Sequence, residues 1–277
     1  MRAILLVALA VLWQGGSTVA TAQGPETEPV SWSLTGIRTA FCVQFLLDPK
    51  SEVARDLPRG YRPAPASGVP ELHTSLRDVI QSQPEYGGWS PSRLCFVAAD
   101  TILGKDIRLA DRKGKHPQLV SVWTVATVAP SGQPEDVALG VYANSGRLAR
   151  SAGFAGQRVR DASLKMGKVP VVDVNGVPSP DDRFQVKLIG TTLIWDGRSA
   201  AESMAVTAPV RGSWTAVGLK GCLTHGRMEV RPATAHAMVG SLKVDGKDAL
   251  AKTLRASPTR FAGPTYRGGT VQIGFTR

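Results

Sequence analysis

The chain runs to 277 residues, enough for one sizeable core, with 33 Lys and Arg against 22 Asp and Glu and a formal net charge of +11. The excess is uneven: residues 23–140 carry 12 basic and 13 acidic side chains, whereas residues 141–277 carry 20 and 9. Scattered basic residues and an aromatic content of only 6% argue against a nucleic-acid partner, and leave a small anionic or amphipathic organic molecule, or an anionic membrane surface, as what the basic half would attract.

Arg2, the apolar run Ala3 to Trp13 and the small-residue ending Ala20-Thr21-Ala22 read as a secretory signal peptide over residues 1–22, cut before Gln23. The run is about half of the roughly 20 residues that a membrane-spanning helix needs. A secreted or periplasmic protein is therefore expected, with a flexible leader at 23–30 and a single domain over 31–277, since Pro130 to Pro134 is short enough to be a surface loop. An oxidising compartment permits disulfides. Of Cys42, Cys95 and Cys222 at most one pair can bridge; Cys42 and Cys95 each sit in an apolar strand-like run that also suits a buried free thiol, and the sequence does not choose.

In chain order, Ser31 to Leu47 is a β-branched and aromatic strand closing at Asp48-Pro49, and Ser51 to Asp56 is a short helix stopped by Leu57-Pro58-Arg59-Gly60-Tyr61. A second short helix covers Thr74 to Ser82, with Leu76, Val79 and Ile80 at helical spacing, and Trp89 in the following turn-rich loop reads as a hydrophobic plug. Period-two segments then follow at Leu94 to Ala98, Asp106 to Leu109, Leu119 to Val128 and Val137 to Ala143, a meander. Asn175-Gly176 is the strongest hairpin signal, and Phe184 to Trp195, Met204 to Val210, Val230 to Val244 and Gly269 to Phe275 read as further strands, with an amphipathic helix at Gly246 to Ala256. About ten strands against four short helices give a β-rich α+β fold: a single large antiparallel sheet curled into a barrel or cone with short outer helices.

The chain lacks a G-x-S-x-G elbow, an H-E-x-x-H helix, a phosphate loop and a Cys-x-x-Cys pair. His73, His116, His225 and His236 are far apart, and His236, among small apolar residues, reads as a satisfied core histidine. Cys222 and His225 have ligand spacing but lack two further ligands nearby, so neither a metal nor a cofactor is expected.

The central stretch, Ala138 to Lys168, is where the charge changes sign. It reads as a strand, a short helix opened by Asn144 or Ser145, a glycine turn at Gly153 to Gly156 and a return strand from Val159 to Lys165. Such a unit can present its turn at the mouth of a cavity, or it can be scaffolding.

Two segments together resemble the acetoacetate-decarboxylase-like superfamily. The strand ending in Leu47-Asp48-Pro49, with the helix and Leu57-Pro58-Arg59-Gly60-Tyr61, is similar to that family's opening element. Val141-Tyr142-Ala143 through Ala152-Gly153-Phe154 resembles the stretch running into its glycine, aromatic, proline, lysine, lysine motif. The resemblance implies a cone-like barrel with a central pocket, and a lyase whose lysine forms a Schiff base with a keto acid, its amine freed by an adjacent cation. Here Ala155 falls on the proline, Gly156 on the nucleophilic lysine and Gln157 on its neighbour. The expectation is therefore an exported barrel protein that holds a small anionic or amphipathic ligand without lysine chemistry and has no catalytic residue. Tyr142, Phe154, Gln157, Arg158, Arg160 and Lys165 are expected at its site. Two alternatives stand beside it: a carbon–carbon or carbon–oxygen lyase acting on a keto or hydroxy acid, with Lys165 or Lys168 as the amine, and a cationic envelope protein binding lipid headgroups.

Overall fold

The computed structural model describes residues 30–69, 72, 74–105, 107–110, 117–166, 171–172, 178–179 and 184–277. The first half runs β1 (Val30–Leu47), α1 (Glu52–Arg55), β2 (Arg62–Pro63), α2 (Thr74–Ser82), β3 (Ser90–Gly104), β4 (Ile107–Ala110), β5 (Gln118–Val128), β6 (Pro134–Ala143), α3 (Gly146–Phe154) and β7 (Val159–Met166). Then come β8 (Val171–Val172), β9 (Pro178–Ser179), β10 (Phe184–Leu188), β11 (Thr191–Ala205), β12 (Val210–Val217), β13 (Leu223–Arg231), β14 (Thr234–Gly246), α4 (Ala249–Ala256), β15 (Arg260–Ala262), β16 (Thr265–Arg267) and β17 (Thr270–Thr276). Of the described residues none forms a helix long and apolar enough to cross a membrane.

All but β8 and β9 belong to one 15-stranded sheet, antiparallel except where β6 runs parallel to β12 and to β7. Seven strands close a ring: β1 pairs β3, then β5, β6, β12, β13 and β17 follow, and β17 returns to β1. A second ring uses the same β1–β3–β5–β6 wall and returns through β7, β10, β11, β14 and β16. The wall forks at both edges: the first half of β1 meets β17 and its second half meets β16 and β15, while β6 meets β12 at Val137 and Ala138 and β7 from Val141 onward.

Alternation along the wall supplies a core to each ring. Trp32, Leu34, Val97, Ile102, Val120 and Val122 point into the first with Trp214, Met228, Ile273 and Phe275. Phe41, Val43, Phe45, Phe96, Trp123 and Val125 point the other way, onto Val186, Leu193, Trp195 and helix α4. Period two makes this possible, because each strand of the wall is apolar on both faces. A register shift between Trp123 and Thr124, where Trp123 faces Gly140 and Thr124 faces Ala138, leaves Leu139 as an extra residue on β6. Ala138 and Val141 then both face the first core, while Val137 and Tyr142 face the second.

Helix ends follow the expected chemistry. Ser145, not Asn144, caps α3 by accepting from the Arg147 amide, and Asp248 caps α4 by accepting from the Ala251 amide. Trp89 packs edge-on against Tyr86 and covers Leu46 and Leu76, the plug read from the sequence. Cys42 and Cys95 are direct cross-strand partners on β1 and β3 and are joined as a disulfide, which the sequence left open.

Several strand expectations need correction. Phe184 to Trp195 is not one strand but a hairpin turning at Ile189-Gly190, where Gly190 takes φ +79° over Asp248. Val230 to Val244 breaks at Pro232-Ala233 into β13 and β14, because proline cannot donate to the ladder. Met204 to Val210 spans the end of β11 and the first residue of β12 around a loop. Asn175-Gly176 lies outside the described residues; β8 and β9 on either side of it pair antiparallel.

Candidate functional site

The turn from α3 into β7 is tied down from outside the rings. Gly156 is buried with φ +77°, and a Cβ there would lie 2.9 Å from Arg277 Nε and 3.4 Å from Thr224 Cγ2. Its carbonyl accepts from the Leu219 amide at 2.6 Å, stitching the turn to the β12–β13 hairpin. Gln157 is buried as well. Its Oε1 accepts from the Thr224 hydroxyl at 3.1 Å and its Nε2 donates to the Arg158 carbonyl at 3.3 Å. Arg158 is exposed, and Phe154 leaves 79% of its surface in solvent.

Two residues further on, the chemistry is different. Arg160 on β7 is the parallel-register partner of Tyr142 on β6. The Tyr142 side chain is 2% exposed, and its hydroxyl accepts a hydrogen bond from the Arg160 guanidinium, which is itself exposed. The ring lies over Gly140, where a Cβ would come within 2.5 Å of the phenol oxygen. Burial pushes the Tyr142 phenol above its ordinary value; Arg160 opposes this and the negative charge of Asp248 adds to it. Asp248, besides capping α4, accepts from the Thr191 hydroxyl. Phenol, guanidinium, carboxylate and hydroxyl thus gather at the edge of the second core. Of the six residues expected at the site, the structure joins Tyr142 to Arg160 and Gln157 to the Arg158 backbone. Lys165 stands opposite Gln185 on β10. The sequence reading missed Asp248 and Thr191; the N-cap pattern of Asp248 ahead of Ala249-Leu250 was the signal available.

A cleft in the first ring is lined by Arg93, Thr124, Asp136, Ser213, Trp214 and Met228 among others, and its volume is about 30 Å³. That is room for water-sized groups, far below the several hundred Å³ of a site for an organic ligand. Arg93 closes it by donating to Asp136 at 2.6 Å. Nearby on the outer face, Glu135 accepts from the hydroxyls of Tyr61 (3.1 Å) and Thr215, and Thr215 is also 3.0 Å from His225 Nδ1. Burial and then Glu135 push the Tyr61 phenol upward. This chain of bonds fastens the loop bearing Tyr61 over the β6–β12 junction. His225 is thereby turned to Thr215, while the Cys222 thiol donates to the Leu219 carbonyl.

Neither a protein-family model nor a curated protein sequence matches the chain. Solved structures do. The enduracididine biosynthesis enzyme MppR in complex with pyruvate aligns at 14% identity and a TM-score of 0.49, covering 95% of this chain and 92% of that one. The same enzyme with HEPES buffer bound aligns at 14% and 0.49 over 90% and 86%. An acetoacetate decarboxylase-like enzyme from Sphingomonas wittichii RW1 aligns at 11% identity and 0.43, covering 90% of each chain. The chain resembles the acetoacetate decarboxylase-like enzymes in fold.

Proposed function

We propose that this is a secreted or periplasmic barrel protein that holds a small anionic organic ligand at Arg160, and that it does so without a Schiff-base lysine. The Tyr142–Arg160 pair carries the reading. A guanidinium that reaches solvent while a buried phenol fixes it has lost little freedom still to be paid on binding, and its planar fork suits a carboxylate. Export is supported by the character of residues 1–22 and by the Cys42–Cys95 bridge. The absence of lysine chemistry at the turn is supported by packing: Gly156 holds a left-handed conformation against Arg277 and Thr224, so a lysine there would be strained and crowded, and the Gln157 amide is engaged on both sides.

Calorimetric titration with pyruvate and acetoacetate tests this. Arg160→Gln should weaken carboxylate binding by roughly tenfold or more, the scale of a charge-assisted hydrogen bond. Neutralising Arg158 and Arg160 together should cost more than neutralising Lys113 and Lys115; equal losses would reduce the site to general surface charge. Borohydride treatment with either keto acid should leave the protein mass unchanged. An adduct that vanishes in Lys165→Ala or Lys168→Ala would replace this reading with the lyase.

A further inference from the structure

Large apolar side chains left in solvent are few among the described residues: Leu103, Phe154, Ile189, Val217, Leu219 and Leu223. Four of these six, Phe154, Val217, Leu219 and Leu223, converge on one place, the end of α3 against the tip of the β12–β13 hairpin. Val217 and Leu223 are cross-strand partners at the last rung of that hairpin. The Leu219 amide bonds to Gly156, and its Cδ1 lies 3.8 Å from where a Gly153 Cβ would stand, which sets it beside Phe154. Nothing in the fold requires these four to be outside. Scattered surface leucines are ordinary, whereas a cluster capped by a phenylalanine that is 79% exposed marks a docking surface.

The charge around this cluster is mostly of one sign, the carboxylate of Glu135, two residue pairs in from the last rung, being already held by the Tyr61 and Thr215 hydroxyls. Arg147 and Arg150 precede Phe154 by seven and four residues on α3, so the three share its exposed face. Lys220 sits in the hairpin tip, Arg277 lies against Gly156, and Arg158 is two residues beyond it, all three exposed. No Asp or Glu occurs in residues 138–160, 203–228 or 270–277, the segments that build the patch. An apolar tip flanked by five cations is complementary to an occupant that is apolar inside and anionic at its surface.

We infer that this face docks onto an anionic lipid bilayer, with Phe154, Leu219, Val217 and Leu223 entering the headgroup boundary and the surrounding arginines and Lys220 meeting lipid phosphates. Side chains of this kind bury a few ångströms into the interface, and each basic residue near the surface adds electrostatic attraction that salt screens. A second copy of the chain is disfavoured as occupant because it would bring the same cationic ring against itself. The inference does not depend on a ligand at Arg160.

Cys222 supplies the probe, being the one cysteine outside the disulfide, exposed, and set in the hairpin tip. A nitroxide attached to Cys222 of the full chain should pass from water into the interface when phosphatidylcholine vesicles containing phosphatidylglycerol are added, and return to water at high salt. Vesicles of phosphatidylcholine alone should leave it in water. Phe154→Ser with Leu219→Ser should lower vesicle partitioning by on the order of tenfold or more, and Arg147→Gln with Arg150→Gln should flatten its salt dependence. Binding through the apolar N-terminal run would hold the protein on both kinds of vesicle with the label still in water, and would overturn the inference. So would a label shielded without lipid in proportion to protein concentration, the mark of self-association, or partitioning that both double variants leave unchanged.

Discussion

The two cores lie back to back on one wall and are built differently. The first is sealed: Trp32, Phe275 and Trp214 meet edge-on at 4.9 Å and 6.3 Å, a disulfide joins two of its wall strands, and an ion pair closes its small cleft. The second meets β1 more sparsely, through the single pair Ala40 and Tyr266 of β16 against the six pairs of β17, while both rings leave β6 over short joints, two pairs to β12 and three to β7. It is this looser ring that carries the phenol, guanidinium and carboxylate cluster. The sealed ring holds the fold and the other presents the chemistry, an ordering expected if sites that must admit a ligand are drawn from the less stable part of a molecule.

That contrast can be broken by measurement. The largest effect is expected at Phe275, fully buried between two tryptophans: Phe275→Ala should cost about 3–5 kcal/mol in denaturant unfolding. Next comes the bridge. Its sequence separation of 53 residues and the entropy of closing such a loop imply a loss of about 2–4 kcal/mol in the Cys42→Ser, Cys95→Ser double variant, read as a shifted midpoint. If instead the second ring were the stronger, native-state hydrogen exchange would protect β7 and β16 more than β13 and β17, and the assignment of roles would be reversed. The smallest effect is expected at Tyr142. Its phenol is raised above 10.0 by burial, so the folded state keeps the proton more tightly than the unfolded state does. Its contribution is complete below about pH 10 and fades as pH climbs through the raised value. Tyr142→Phe should therefore change stability by roughly 1 kcal/mol at neutral pH and flatten the alkaline limb of the stability profile. Tyr266, raised by burial alone, should leave part of that limb in place.

Much of the architecture was legible because it rests on local rules. The meander from Leu94 to Ala143 shows as successive apolar segments separated by loops, α3 shows a cap at Asn144 or Ser145, and Trp89 is a large apolar ring in a turn of small and polar residues. What stayed hidden was non-local. The β12–β13 hairpin escaped notice because Gly212 and Gly226 interrupt its apolar face; Gly226 is there because a Cβ would lie 2.1 Å from the Trp214 ring, a reason visible only once the strands are paired. The Cys42–Cys95 bond depends on β1 and β3 standing in register, which no spacing in the chain encodes. At the site, Tyr142 and Arg160 could be singled out as residue types in a basic stretch, but their union depends on a parallel pairing, and Asp248 reaches them from a helix more than eighty positions later.

The extra residue at Leu139 has a consequence for how this chain can change. Side chains on a strand are read in a two-residue frame, and the bulge shifts that frame between Ala138 and Val141. Deleting Leu139 would therefore remove only the bulge: Ala138 and Val141, then two residues apart, would still face the sealed ring and Tyr142 the other, whereas deleting one residue from the regular stretch of β5 would turn every side chain after it to the opposite core. Away from that bulge, insertions and deletions on this wall act as frameshifts in space, exchanging two cores at once, so a change of length is expected to be tolerated at Leu139 and in the loops.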